Sequence, residues 1–171
     1  DETWTKREFL ASTDERFRPV NGSFGPDGCL YIVDMNRGII QDKLFLTSYL
    51  RRQSEERELD KNIGKGRIWR VVPEDHQPVA APQGLVEGLS HPYLWWRLHS
   101  QKRIVEEQRT DLVADLVKLA SEGSPKARPH AMWALAGLDS LSKEVISSNL
   151  SSSDWFVSLT TLRLAGEAYG D

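Results

Sequence analysis

Phe24-Gly25-Pro26-Asp27-Gly28 separates two stretches that read as strands, Phe17 to Phe24 and Cys29 to Asp34. Proline presets φ at the second position of a tight turn and Gly28 can take positive φ, so the quoted residues close an antiparallel hairpin. In the second strand Cys29, Tyr31 and Val33 alternate with Leu30 and Ile32. Both of its faces are apolar, which predicts a sheet covered on both sides. Further along, Gly66 to Val72 reads as a third strand, and Thr3 to Leu10, carrying Trp4 and Phe9, as one more strand of the same sheet. Leu44 to Gln53 repeats apolar residues at helical spacing and predicts a short helix inserted between strands. The adjoining charge run Arg51, Arg52, Glu55, Glu56 and Arg57 reads as the solvated side of that insertion rather than as a ligand site.

The punctuation changes after about Pro73. Glu74 to Gln83 is rich in Pro and Ala, and beyond it every turn signal is helical. The expected organisation is residues 1–74, with a helical insertion at about 42–62, then a linker at 75–83 and a helical domain at 84–171. Helix starts are expected at Pro92, at Thr110 as a cap, at Ser124-Pro125, and at Ser153 or Asp154. Trp96 to Ser100, Ala127 to Ala131 and Val157 to Thr161 align with one another at a spacing of about 30 residues, in the range of repeat arrays. This pattern resembles the first helix of a HEAT-type repeat and predicts stacked helix pairs, with Pro129 bending its helix by removing a donor.

Composition narrows the function classes. The 171 residues carry 22 basic and 25 acidic side chains, a net of -3. No single-sign field is present to recruit nucleic acid or an anionic membrane surface. The single cysteine, Cys29, cannot form an internal disulfide, a multi-cysteine zinc site or a Cys-x-x-Cys-His haem attachment. No apolar run approaches the ~20 residues of a membrane-spanning helix. The start at Asp1, without a methionine, leads us to expect more chain upstream.

Arg16 to Asp34, followed by Gly66 to Val71, closely resembles a blade of the β-propeller in soluble glucose/sorbosone (aldose sugar) dehydrogenase-like proteins, which use pyrroloquinoline quinone. His91-Pro92-Tyr93-Leu94-Trp95-Trp96-Arg97 and His130 to Leu135 resemble the linker-to-repeat segment of one branch, the large "membrane-bound dehydrogenase" proteins of planctomycete-type bacteria. In that branch a propeller is followed by helical repeats and often by a cytochrome c domain. The resemblance implies an α+β chain: about one antiparallel blade of a partial β-propeller, then a HEAT-like α-solenoid, together the C-terminal portion of a quinoprotein-type sugar or alcohol dehydrogenase-like protein. It also implies a periplasmic or other extracytoplasmic setting. Expected partners are the rest of the parent propeller or a second copy, with a cytochrome c domain or protein as electron acceptor.

In the family, an Arg-aromatic-Arg stretch entering this blade gives guanidinium groups to the quinone's carboxylates and carbonyls, and Arg16-Phe17-Arg18 stands in that place. Two residues apart on a strand, Arg16 and Arg18 would point to one face and could share an anionic ligand. The alternative is an exposed pair at a strand end. The family's catalytic histidine and most quinone and calcium contacts lie on earlier blades, and no histidine here precedes His76. No catalytic or metal-ligating residue is therefore assigned, and neither quinone nor calcium is expected to bind this chain alone. His91 reads as a helix-start residue, and His99 and His130 as equivalent repeat positions that pack or face solvent. Asp27 is explained by the turn, while Asp34, ending an apolar strand, is the more open candidate for calcium. Of Trp95 and Trp96, helical spacing puts one on the core side. A different class of function stays open beside the enzyme: a non-catalytic propeller and helical-repeat module that binds or scaffolds other proteins.

Overall fold

The computed structural model describes residues 8–61 and 63–169. The chain forms two compact units, residues 1–25 with 29–76 and residues 26–28 with 77–171. In sequence the division falls between His76 and Gln77, inside the segment read as a linker.

Among the described residues the first unit is built on a three-stranded antiparallel sheet of β1 (Pro19–Phe24), β2 (Leu30–Asp34) and β3 (Arg67–Val71), in the order β1-β2-β3. The hairpin forms where the turn residues predict it. Gly25 N–H donates to Cys29 O at 2.9 Å, and Gly28 takes φ 78°, which a side chain would oppose. Register pairs Phe24 with Leu30, and Leu30 with Val71, and a bulge interrupts the ladder between Pro19 and Asn21. Thr3 to Thr5, Lys6 and Arg7 of the expected further strand lie outside the described residues, and Glu8 to Leu10 are irregular. The insertion holds a 3-10 turn at Lys43–Phe45 and helix α1 (Ser48–Glu56). Thr47 caps α1, its side chain accepting from Leu50 N–H.

Only part of this sheet is covered. Cys29 and Ile32 are buried, whereas β1 is exposed throughout and Val33, Ile68 and Trp69 are exposed as well. By alternation Phe24, Ile32 and Trp69 share one face, and Val33 and Ile68 the other. Apolar side chains therefore stand exposed on both faces.

The second unit is helical: α2 (Leu85–Gly88), α3 (Leu94–Glu106), α4 (Val113–Glu122), α5 (Ala127–Gly137), α6 (Lys143–Leu150) and α7 (Trp155–Tyr169). Helix α2 packs on α3, α4 on α5 and α6 on α7, while α3, α5 and α7 form one row and α4 and α6 another. The segments aligned in the sequence fall on α3, α5 and α7. They are the second helix of each packed pair, not the first as expected, because each packs back on the helix preceding it. Helix α5 lies between α3 and α7, so Ala127, Ala131, Met132, Ala134 and Leu135 are all fully buried. Its alanines permit close approach, and Leu116, Ile104, Val157 and Leu164 complete the core from the neighbours.

Two local expectations are corrected. Pro129 sits in the first turn of α5, where a missing N–H costs no bond within the helix, and so it does not act as a mid-helix breaker. Thr110 opens a 3-10 turn, Thr110–Leu112, and gives no side-chain cap to α4. Asp154 does cap α7, its Oδ1 accepting from Phe156 and Val157 N–H at 3.0 and 3.1 Å.

Candidate functional site

Arg16 and Arg18 precede β1 rather than lying on it. Phe17 N–H donates to Asp14 O at 3.0 Å, closing a turn through Arg16, so the strand geometry that would aim both side chains at one face is absent. Arg16 Nη2 donates to Arg57 O at 3.1 Å. Arg18 Nη1 donates to Phe17 O and Nη2 to Gly38 O, both at 3.0 Å. Each guanidinium holds the backbone of the insertion or of its own entry segment.

The carboxylate at the end of β2 organises this region. Asp34 is fully buried. Its Oδ1 accepts from Arg18 N–H and Asn36 N–H, both at 2.8 Å. Its Oδ2 accepts from Arg67 Nε at 2.8 Å and from the Trp69 indole at 3.0 Å. Arg67 also reaches Asp14 Oδ2 at 2.8 Å and lies over the Trp69 ring, 4.7 Å from its centroid. Burial pushes the Asp34 carboxyl up, but the donors from Trp69, Arg18, Arg67 and Asn36 outweigh it and hold the group well below the usual carboxylate range. Asp34, left open for calcium by its sequence position, is instead occupied by N–H donors on both oxygens. It ties β2 and β3 to the segment that leads into β1.

Beside this hub the insertion borders an open cavity of about 550 Å3. Ile39, Leu46, Tyr49 and Leu50 form apolar walls, and Arg18, Gln53, Ser54 and Arg57 bring polar groups. The Ser54 hydroxyl is buried with no hydrogen-bond partner among the described residues. Arg57 is paired with Glu15 and donates to Gln53 Oε1 at 3.0 Å, whereas the hydrogen bonds of the Arg18 side chain run to carbonyls. Arg16 does not line the cavity. Arg18 is therefore the guanidinium at the cavity without a carboxylate partner among the described residues, in place of the Arg16 and Arg18 pair that the sequence suggested. On α1 the charge run is largely solvated, as expected: Arg52 and Glu56 form an exposed pair at 3.8 Å. The opposite side of the same helix, unremarked in the sequence, supplies the cavity wall.

The histidines of the helical unit are fixed by local contacts. His91 is buried, accepting from Tyr93 N–H at 3.1 Å on Nδ1 and placing Nε2 3.0 Å from Ala80 O, which suits a residue at a helix start. His99 stacks on Trp95 at 4.7 Å. Trp95 and Trp96 meet edge to face at 4.8 Å and both are half-buried, so neither is the core-side ring that helical spacing predicts. His130 Nδ1 lies 2.7 Å from Gln101 Oε1, and its Nε2 accepts from Arg97 Nε at 3.4 Å. Burial, reinforced by the Arg97 charge, lowers the His130 pKa to about 4, so the ring is neutral near pH 7. His99 and His130, aligned in the sequence, thus have different surroundings. Among the described residues no three His, Cys, Asp or Glu side chains come together as a metal site, and no helix is long and apolar enough to cross a membrane.

No curated protein and no solved structure matches the chain. Residues 1–75, the segment that holds the sheet, the Asp34 hub and the cavity, are similar to a family described as a domain of unknown function (DUF7133).

Proposed function

We propose that this chain is a non-catalytic portion of a quinoprotein-type (pyrroloquinoline quinone) sugar or alcohol dehydrogenase-like protein, its sheet serving as a propeller blade and its helices as HEAT-like repeats. The observation that carries the reading is the sheet itself. Three antiparallel strands expose Phe24 and Trp69 on one face and Val33 and Ile68 on the other, as a blade packed between neighbouring blades requires. The alternating rows of α2 to α7 support the helical half of the reading. Within it, Arg18 is the residue that would meet the quinone, which would supply the hydride-accepting chemistry. Calcium and the catalytic base would come from other blades, and a cytochrome c domain or protein would take the electrons outside the cytoplasm.

The test has two arms. This chain, given the quinone, calcium, an aldose or alcohol and a reducible dye, is expected to show no quinone-dependent dye reduction. In the parent protein, Arg18→Ala is expected to weaken quinone affinity about tenfold, the scale of one charge-assisted contact. Turnover by the chain alone, or unchanged affinity in the variant, would overturn the reading.

A second reading, a binding or scaffold module with no redox role, is favoured by α7. Trp155, Leu159 and Leu162 form an exposed apolar stripe at helical spacing on the last helix of the α3, α5, α7 row. A parent protein that binds neither quinone nor calcium would leave this reading in place of the first.

A further inference from the structure

The helical unit holds a groove of about 600 Å3 between α3, α5 and the start of α7. Leu94, Leu98, Trp133 and Phe156 wall it, and Leu94, Leu98 and Phe156 are each more than two-fifths exposed. Open apolar concavities of this size suit a ligand, and the polar groups set into them determine which ligand. The polar group here is Arg97. Its Nη1 donates to His91 O and Pro92 O at 2.7 and 2.8 Å, and its Nε to His130 Nε2 at 3.4 Å. These three acceptors hold the guanidinium in place while Nη2 makes no hydrogen bond among the described residues.

No carboxylate among the described residues pairs with Arg97. Its half-buried charge is partly stripped of water, which lowers its pKa. The other charged groups lining the groove are Lys126, exposed at the rim, and Asp154, whose Oδ1 is committed to the N-terminus of α7. His130 adds no charge near neutral pH, and a proton on it would be repelled by Arg97. The groove is therefore largely apolar, with a guanidinium held in fixed orientation that no carboxylate contacts among the described residues, and a planar guanidinium with free N–H groups on Nη2 is matched by a carboxylate. One fixed and one exposed cation do not make the phosphate-tracking stripe that nucleic acid needs.

We propose that this groove is a docking site for a peptide segment that brings an aspartate or glutamate carboxylate to Arg97 and lays apolar side chains against Leu94, Leu98 and Phe156. The segment supplies the carboxylate contact that Arg97 lacks among the described residues. It also covers apolar surface that the helices leave open. This chemistry does not depend on the quinoprotein reading.

The test uses the whole chain and two capped peptides, acetyl-Leu-Phe-Glu-Leu-amide and its Gln counterpart, titrated by 1H–15N NMR. The Glu peptide is expected to shift the Arg97 Nε–H and the amides around Leu98 and Phe156, and to bind about tenfold more tightly than the Gln peptide. Arg97→Met is expected to erase that difference. Because Arg97 also holds the start of α3, a second variant, Leu98→Asp at an exposed wall position, is expected to abolish binding with the amide spectrum otherwise preserved. Equal affinity for the two peptides, shifts confined to residues outside the groove, or N-acetylphenylalanine binding as tightly as the Glu peptide would overturn the proposal.

Discussion

Asp34 shows how a single residue can tie an otherwise exposed sheet together. Its two oxygens take N–H groups from the segment before β1, from the chain after β2, and from two side chains of β3. Asp34→Asn would keep one acceptor oxygen but turn an NH2 group toward donors. We expect a loss on the order of 2–3 kcal/mol from the first unit, the scale of hydrogen bonds to a buried charged group. Because the folded carboxyl lies below its ordinary 3.8, the stabilisation is complete above that value and is lost as pH falls from it toward the depressed folded pKa. Chemical denaturation between pH 7 and pH 2, followed by the Trp69 indole resonance, checks both statements. The unaltered chain should weaken in the acid range while the Asn variant shows a flatter profile.

Helix packing turns on small residues at contact points. Gly137, the last residue of α5, lies where an added Cβ would meet Val105 Cγ2, next to the end of α3, at 2.6 Å. Gly88 at the end of α2 is in the same situation against the Ser100 side chain. Alanine normally favours a helix over glycine, by up to about 1 kcal/mol, so propensity alone predicts that Gly137→Ala is stabilising. The close approach of α3 reverses the sign: overpacking costs about 1–3 kcal/mol, and the variant should melt at lower temperature by circular dichroism at 222 nm. A rise in melting temperature would show that α3 and α5 separate at this point without cost.

For the whole chain, the balance of covered and uncovered surface matters most. The helical unit has a continuous core of fully buried side chains, whereas the sheet leaves Ile68 67% and Phe24 56% exposed. At roughly 25 cal/mol per Å2, several such side chains weigh against an isolated monomer by a few kcal/mol, comparable with the stability of a small domain. We expect concentration-dependent association in sedimentation velocity together with binding of an apolar dye. Ile68→Lys, on an exposed edge strand, should reduce both. A monodisperse monomer with no dye binding across the concentration series would mean that the sheet needs no partner.

Local chemistry made much of this legible in advance. The Gly-Pro-Asp-Gly turn sets its own dihedrals, so the hairpin and its two strands could be read from neighbouring residues, and helical spacing and helix-start residues did the same for α1, α3, α5 and α7. Side-chain destinations were not legible, because they depend on which segments meet. Arg16 and Arg18 look like a pair on a strand until the turn at Asp14 takes them off it, and Asp34 looks like a free strand-end carboxylate until Arg67, 33 positions away, closes on it. Arg97 left a faint signal: Tyr93, Leu94, Ser100 and Gln101, its helical neighbours at three and four positions, include no acid. That its charge goes unanswered across α5 as well, and faces an apolar groove, was decided only by the tertiary packing, since counter-charges in a folded chain come from segments distant in sequence.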